Sequence, residues 1–195
     1  MKTLFIDTST SFLVIAFLNN QEMVYSVKKE GKNNHSDHLL NEIQIGLKAV
    51  HLDFKDLDRI IVAIGPGAYT GLRVSLTVAK MLCWTLSIPL YTISSLESLG
   101  SGFFHRDGTY ILAMHAKKGF VFSSIVRIKN GLKEVLQDEG YLSLAEWQER
   151  KNAYPEAVLI HEENADWDIS RLDASFFMKQ ESIHLVEPNY LRGEL

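Results

Sequence analysis

Residues 65–73 read Gly-Pro-Gly-Ala-Tyr-Thr-Gly-Leu-Arg and join a predicted strand to a predicted helix. The strand, residues 59–64, is a nearly continuous apolar run, as in a buried strand of an α/β sheet. The helix is predicted to begin after an N-cap at Thr70 and to end near Leu86. Free backbone N–H groups and the positive end of the helix dipole favour an anion at such a turn. The candidate residues of a nucleotide or anion site here are Gly65, Gly67, Thr70 and Gly71.

This stretch matches neither of the two common phosphate-binding loops. A Walker loop ends in Gly-Lys-Ser/Thr, but no lysine follows Gly71. The dinucleotide fingerprint would have a glycine where Thr70 stands. The alternative is a tight strand-to-helix turn whose glycines let the helix pack close to the sheet. The residues alone leave both interpretations open.

A second polar turn follows the first predicted strand, residues 3–6. Asp7, Thr8 and Ser9, with the two hydroxyl residues after them, place a carboxylate beside clustered hydroxyl groups. Such a cluster can hold a metal-bound phosphate, so these three residues join the possible nucleotide site. An ordinary hairpin turn uses the same residue types, because their side chains bond to their own backbone. This turn alone therefore does not establish a ligand site.

The predicted elements occur in the same order in two halves of the chain. The first half has predicted strands at 3–6, 12–18, 22–28, 59–64 and 89–93, with helices after Ser36, after Thr70 and at a capping box from Ser94 to Glu97. The second half has predicted strands at 110–116, 120–128, 132–137 and 157–161, with a short helix at a capping box from Ser143 to Glu146. Both halves read βββαβ. Turn residues near 101–108 predict an N-terminal lobe at 1–103 and a smaller C-terminal lobe at 104–195.

Composition and charge exclude several classes of protein. The 195 residues are 46% apolar and 23% charged, which excludes a disordered or fibrous chain. The net charge of −4 argues against a protein that binds nucleic acid unaided, since phosphate binding usually needs a basic face. The single cysteine, Cys83, cannot form an intramolecular disulfide and fits a reducing compartment. Because Asp7 interrupts the first apolar stretch and the run at 12–18 is short, we expect no signal peptide or membrane helix, and a cytoplasmic location.

Three motifs in order along the chain resemble the TsaB (YeaZ) family. They are Asp7-Thr8-Ser9-Thr10, the Gly65–Arg73 stretch and Pro188-Asn189-Tyr190-Leu191-Arg192. His35-Ser36-Asp37 also resembles the His-Ser-Glu segment of that family. The resemblance implies an α/β protein of the actin-like ATPase (ribonuclease H-like) fold, with two βββαβα lobes.

The resemblance also implies a role in tRNA modification. The family works with the catalytic paralogue TsaD, of the glycoprotease-like family, and with the ATPase TsaE. Together they install threonylcarbamoyl on adenosine 37 of tRNAs that read codons beginning with A. The expectation is a scaffold or activating subunit that forms a homodimer alone and a heterodimer with a TsaD-like partner. It would contact tRNA only through the complex and need no cofactor by itself, with ATP or ADP bound in the complex.

The same resemblance argues against catalysis by this chain. TsaD binds its metal through His-x-x-x-His, and Ser95 and Leu99 stand at the corresponding places. Leucine has no lone pair and serine is a poor metal ligand, so we predict no metal site, no catalytic residue and no peptidase activity. Two rivals stay open: a nucleotide-dependent kinase or acyltransferase of the same fold acting alone, and a metallopeptidase.

The two apolar helices of the first half are the predicted partner surface. By resemblance, family members pair through these helices as a four-helix bundle. The expected interface residues are Leu39, Leu40, Ile43 and Leu47 on one helix and Arg73, Val74, Val78, Met81 and Leu82 on the other. The alternative is that these side chains pack on their own sheet.

Two other residues receive no catalytic role. Cys83 lies on the apolar second helix, which indicates a small buried hydrophobe rather than a reactive thiol. His115-Ala116-Lys117 stands where the family usually has Asp-Ala-Arg, so a carboxylate is missing and no role is assigned to His115.

Overall fold

The computed structural model describes residues 1–31 and 35–191, with only the backbone described at 35–37. The side chains of the predicted His35-Ser36-Asp37 motif, and Arg192, lie outside the described residues. The described chain forms two compact units. The first comprises Met1–Ser95 and Phe177–Asn189, and the second comprises Leu96–Phe176 together with Tyr190 and Leu191. None of the helices in the described part is long and apolar enough to cross a membrane.

The first unit is a mixed six-stranded sheet with two long helices. Its elements are β1 (Lys2–Asp7), β2 (Phe12–Asn19), β3 (Glu22–Glu30), α1 (His35–Ala49), β4 (Arg59–Ala63), α2 (Tyr69–Leu86), β5 (Leu90–Ile93) and, from the end of the chain, β10 (Met178–Lys179). The strand order is β10-β5-β4-β1-β2-β3. β1 pairs antiparallel with β2 and parallel with β4, so the turns after β1 and β4 emerge at the same edge of the sheet.

A single apolar core joins the helices of this unit to its sheet. Leu39, Ile43 and Leu47 of α1 are buried at helical spacing, as are Leu76 and Ala79 of α2. They pack with the alternate side chains of the strands, among them Leu4, Ile6, Ile15, Phe17, Ile60 and Val62. Fully burying one such side chain stabilises the fold by about 1.5–3 kcal/mol. The helices therefore hold the central strands, and with them the turns at the edge of the sheet.

The second unit repeats the strand order around a four-stranded sheet. Its elements are α3 (Ser95–Gly100) at the boundary, β6 (Gly108–His115), β7 (Phe120–Lys129), β8 (Leu132–Ser143), α4 (Leu144–Asn152) and β9 (Val158–Ile160). The sheet order is β8-β7-β6-β9, with β6 and β9 parallel. The predicted βββαβ order of both halves is confirmed. So is the capping box of α4, in which Ser143 and Glu146 cap each other's backbone.

Four elements differ from the sequence prediction. α1 begins at His35, ahead of the predicted N-cap at Ser36. α2 begins at Tyr69 with Ala68 as N-cap, so the predicted N-cap at Thr70 is wrong. The Ala68 N–H donates to the Ser9 carbonyl, and the Ala68 carbonyl accepts the first hydrogen bond of the helix. β8 continues to Ser143, because its pairing with β7 holds polar residues that have little strand propensity of their own. β10 was not predicted, and it forms by antiparallel pairing with β5.

The division between units lies nearer the N-terminus than the predicted boundary at 103, and the end of the chain returns to the first unit. β10 extends the first sheet, and a one-turn 3-10 helix, Ile183–Leu185, follows it. The Lys80 ammonium of α2 donates to the carbonyls of His184 and Val186, at 3.0 and 2.7 Å. Sequence distance thus does not decide which unit this segment joins.

Candidate functional site

The two polar turns singled out in the sequence contact each other directly in the first unit. The Thr8 hydroxyl donates to the Gly71 carbonyl at 2.7 Å. The Ala68 N–H donates to the Ser9 carbonyl, also at 2.7 Å. Since the parallel pairing of β1 and β4 brings both turns to one edge of the sheet, these bonds join them into a single structure. Thr70, by contrast, is exposed on the first turn of α2.

The glycines of the second turn allow this close approach. A Cβ atom on Gly67 would lie 2.4 Å from the Ser9 carbonyl oxygen, and one on Gly71 would lie 1.9 Å from that of Thr8. Real Cβ atoms do not approach so closely, so a larger residue would force the turns apart. The packing interpretation of these two glycines therefore has a direct structural basis.

Gly65 has a different reason to be glycine. Its φ of +116° is unfavourable for other residues, and a Cβ would lie 2.6 Å from the Asn189 carbonyl oxygen. The Asn189 N–H donates to the Ile64 carbonyl at 2.7 Å. The Pro-Asn segment near the chain end thus packs on the Gly-Pro-Gly turn, so two of the motifs that carry the resemblance are neighbours in space.

The polar side chains of the first turn are buried. Asp7 Oδ1 accepts from the Ser9 N–H at 2.8 Å, and Thr10 Oγ1 accepts from the Phe12 N–H at 3.0 Å. These bonds are what an ordinary hairpin turn requires. Ser9 Oγ is buried without a hydrogen-bond partner. The structure therefore brings together six of the seven candidate nucleotide or anion residues, and a nucleotide site at this edge stays a prediction.

The place of the TsaD histidine pair is occupied by Ser95 and Leu99. Ser95 Oγ accepts from the Gly65 N–H at 2.9 Å, and the Ser95 N–H donates to the Gly65 carbonyl at 2.8 Å. Leu99 is fully buried. Within residues 1–31 and 38–191, whose side chains the structure describes, no three His, Cys, Asp or Glu side chains lie close enough together to hold a metal ion.

In the structure, only some residues of the predicted partner surface are exposed. Four of its residues contribute to the core of the first unit and are covered by their own sheet: Leu39, Ile43, Leu47 and Leu82. Leu40 and Met81 are exposed, at 40% and 45%. Val74 and Val78 are half-buried. The Arg73 guanidinium is exposed and donates to the Tyr69 hydroxyl at 2.6 Å.

Trp84 is an exposed apolar residue that the sequence reasoning missed. It is 69% exposed and lies three residues after Met81, on the same side of α2. Its ring contacts His184 edge-on, with centroids 6.2 Å apart. We call Val74, Val78, Met81 and Trp84 the α2 stripe. The helical period was the available signal, because Trp84 follows the predicted interface residues Arg73 and Met81 by eleven and three residues, spacings that place it on their side of a helix.

Cys83 and His115 have contrasting surroundings. Cys83 is buried, as predicted, and burial raises the pKa of its thiol to about 12, although hydrogen bonding to the backbone of Ile60 opposes this shift. His115 is exposed at the end of β6, where its backbone N–H donates to Glu162 Oε1 at 3.1 Å. This histidine therefore lies at the surface of the second unit.

Comparison with known proteins places this geometry in a family. The family model described as TsaD, tRNA N6-adenosine threonylcarbamoyltransferase, matches residues 22–186. The tRNA threonylcarbamoyladenosine biosynthesis protein TsaB of Bacillus subtilis is 37% identical over 160 residues, which cover 82% of this chain and 70% of that protein. The protein of the same name from Buchnera aphidicola (subspecies Acyrthosiphon pisum) is 30% identical over 65% of this chain and 58% of its own length.

Solved structures agree on the fold. YeaZ from Pseudomonas aeruginosa superposes with a TM-score of 0.67 at 24% identity, covering 73% of this chain and 67% of that one. A structure described as an uncharacterized protein with similarity to peptidase YeaZ from Pseudomonas aeruginosa has a TM-score of 0.77 at 21% identity, covering 98% and 99%. These likenesses confirm the predicted α/β, actin-like ATPase fold. With the family match and the identity to the Bacillus subtilis protein, they show that the chain belongs to the TsaB (YeaZ) family.

Proposed function

We propose that this chain is a non-catalytic scaffold subunit for the synthesis of threonylcarbamoyladenosine at position 37 of tRNAs that read codons beginning with A. In this proposal it forms a heterodimer with a TsaD-like catalytic paralogue and works with a TsaE-like ATPase. The Bacillus subtilis and Buchnera relatives are named as tRNA threonylcarbamoyladenosine biosynthesis proteins, and these names support a role in that synthesis. The observation that carries the scaffold role is the α2 stripe, of which Met81 and Trp84 are exposed.

The α2 stripe has the composition of a protein interface. Tryptophan, methionine and arginine are enriched where proteins associate, and an exposed apolar patch on a folded domain commonly marks such a site. Trp84 and Met81 lie exposed on α2, with Arg73 nearer the start of the same helix and Leu40 on the neighbouring α1. The same surface would serve the homodimer, which the heterodimer would then replace.

Two further features support a role without catalysis. Ser95 and Leu99 fill the histidine positions of TsaD with a hydrogen-bonded hydroxyl and a buried leucine. The net charge of −4 favours tRNA contacts carried mainly by the partners. ATP or ADP would then be bound in the complex and not be required by the isolated chain.

Size-exclusion chromatography with light scattering tests the pairing. The chain and its TsaD-like paralogue, mixed at micromolar concentration with and without ATP, should elute as a heterodimer. Leu40→Glu and Met81→Glu should each weaken pairing by about 100-fold, since they bury a carboxylate against an apolar partner. Leu132→Glu is the matched control, because Leu132 is 63% exposed on β8 of the other unit.

Each outcome of these experiments tests a different part of the proposal. Absence of a heterodimer under every nucleotide condition would overturn the scaffold role. Normal pairing by both stripe variants would show that another surface is used. Calorimetric titration of the isolated chain with ATP and magnesium tests the rival kinase or acyltransferase, for which micromolar binding is required.

A further inference from the structure

The second unit contains a cavity that the scaffold role does not use. It has a volume of about 470 Å³ and lies between the β6–β7 hairpin, the first turn of α4 and the end of β9. Its apolar lining includes Met114, Val121, Leu144 and Leu159. A volume of this size is typical of sites for small organic molecules.

Hydrogen bonds and ring stacking hold the walls of this cavity in place. The Leu144 N–H donates to the Gly119 carbonyl at 3.2 Å, which attaches the start of α4 to the tip of the hairpin. The Phe120 ring stacks on Tyr141, with centroids 4.5 Å apart and planes 5° apart. The cavity therefore exists before any ligand arrives, which lowers the cost of binding.

Two residues of the lining each have a ring N–H with no hydrogen-bond acceptor among the described residues. Trp147 Nε1 is buried without a hydrogen-bond partner, and an indole nitrogen is a donor only. His161 Nδ1 accepts from the Glu163 N–H at 3.3 Å, so Nε2 is the ring nitrogen that carries an N–H. Both residues line the cavity, so their two N–H groups favour a ligand that carries a hydrogen-bond acceptor.

The charge of the lining is positive. Lys117 and Lys118, at the exposed tip of the hairpin, line the cavity together with one acidic residue, Glu163. Neither lysine forms a salt bridge within the part of the chain that the structure describes. Two ammonium groups beside an apolar volume attract an anion with an apolar body, whereas a cation would meet repulsion.

We propose that this cavity binds a small organic anion whose aromatic or branched body fills the apolar lining and whose carboxylate or sulfonate group lies near Lys117 and Lys118. The Trp147 and His161 N–H groups donate to its acceptor atoms. This site belongs to the second unit alone and is independent of the pairing through α2.

A matched pair of fluorescent probes tests both halves of the proposal. 8-Anilinonaphthalene-1-sulfonate carries the apolar body and the anion, whereas N-phenyl-1-naphthylamine is the same molecule without the sulfonate. We expect one sulfonate probe per chain. Lys117→Gln with Lys118→Gln should raise its Kd about fivefold, and added salt should reduce this effect. The Kd of the uncharged probe should change less than twofold.

Substitutions in the apolar lining distinguish this cavity from other exposed apolar surfaces. Leu144→Gln should raise the Kd of both probes about fivefold, while Leu132→Gln, an exposed leucine outside the cavity, should leave both unchanged. Leu144 and the two lysines are exposed, so the variants should keep the far-ultraviolet circular dichroism of the wild type. Equal binding by wild type and all cavity variants, or an equal loss in Leu132→Gln, would overturn the proposal.

Discussion

Replacing Gly71 by alanine separates two physical effects that act in opposite directions. Gly71 lies in the first turn of α2, and helix propensity alone favours alanine over glycine there by about 1 kcal/mol. The tertiary contact opposes the change, because the new Cβ would lie 1.9 Å from the Thr8 carbonyl oxygen, whereas ordinary contact begins near 3.4 Å. The first turn of α2 and the turn after β1 must then separate by about 1.5 Å.

This separation has an energetic cost that can be worked from the structure. Overpacking costs about 2 kcal/mol in a tightly packed interior. Moving the turns also breaks the Thr8–Gly71 and Ala68–Ser9 hydrogen bonds, each 2.7 Å long and each worth about 1 kcal/mol. After the helix-propensity gain, Gly71→Ala should lower the free energy of unfolding by about 3 kcal/mol.

Urea titration followed by circular dichroism at 222 nm measures this change. Gly131→Ala is the control, because Gly131 has a φ of +75° and open space around its Cβ position. The control should lose only about 1 kcal/mol, the cost of left-handed backbone. A Gly71→Ala protein as stable as the wild type, or more stable than the control variant, would refute the packing argument.

Three further expectations concern buried groups elsewhere. The Cys83 thiol, whose pKa burial raises to about 12, should react with a disulfide reagent at pH 8 only after urea unfolds the chain; rapid labelling of the native protein would contradict this. Burial also raises the pKa of Glu97 above its ordinary 4.5, although Lys133 opposes the shift at 2.5 Å. Above pH 4.5 the native state therefore binds more protons than the unfolded state. The free energy of unfolding of the wild type relative to Glu97→Gln should then fall as pH rises through the raised pKa. Parallel pH profiles of the two proteins in urea titrations would contradict this expectation. Phe104 is buried and stacks on Phe176 with centroids 5.5 Å apart, so Phe104→Ala should cost about 3–5 kcal/mol in urea unfolding, and a loss below 1 kcal/mol would show that the site is loosely packed.

Local patterns predicted most of the elements because those elements depend on short-range physics. Continuous apolar runs predicted the buried strands β1, β2 and β4 within a residue or two of their ends. The capping box at Ser143 predicted the start of α4, since both of its hydrogen bonds join residues three apart. The βββαβ order of each half follows from the same signals.

The parts that sequence reasoning missed depend on contacts between distant residues. Met178 and Lys179 show no strand pattern, yet they pair with β5 because the chain returns to the open edge beside it. The start of α2 at Tyr69 depends on the Ser9 carbonyl, which lies far away in sequence. Apolar spacing on α1 and α2 likewise could not separate the core leucines from the exposed Leu40, Met81 and Trp84.

The Gly65–Arg73 stretch shows most directly which features follow from local sequence and which follow from contacts between distant residues. By itself the sequence determined a strand, a glycine-rich turn and a helix, because apolar periodicity and glycine are local signals. It also carried the family resemblance. Only the tertiary structure decided why Gly67 and Gly71 have no side chains, because the backbone of the turn after β1 occupies that space. The physical reason is that hydrogen bonds along one segment are set by neighbouring residues, whereas close packing between segments is set by the whole sheet that aligns β1 with β4.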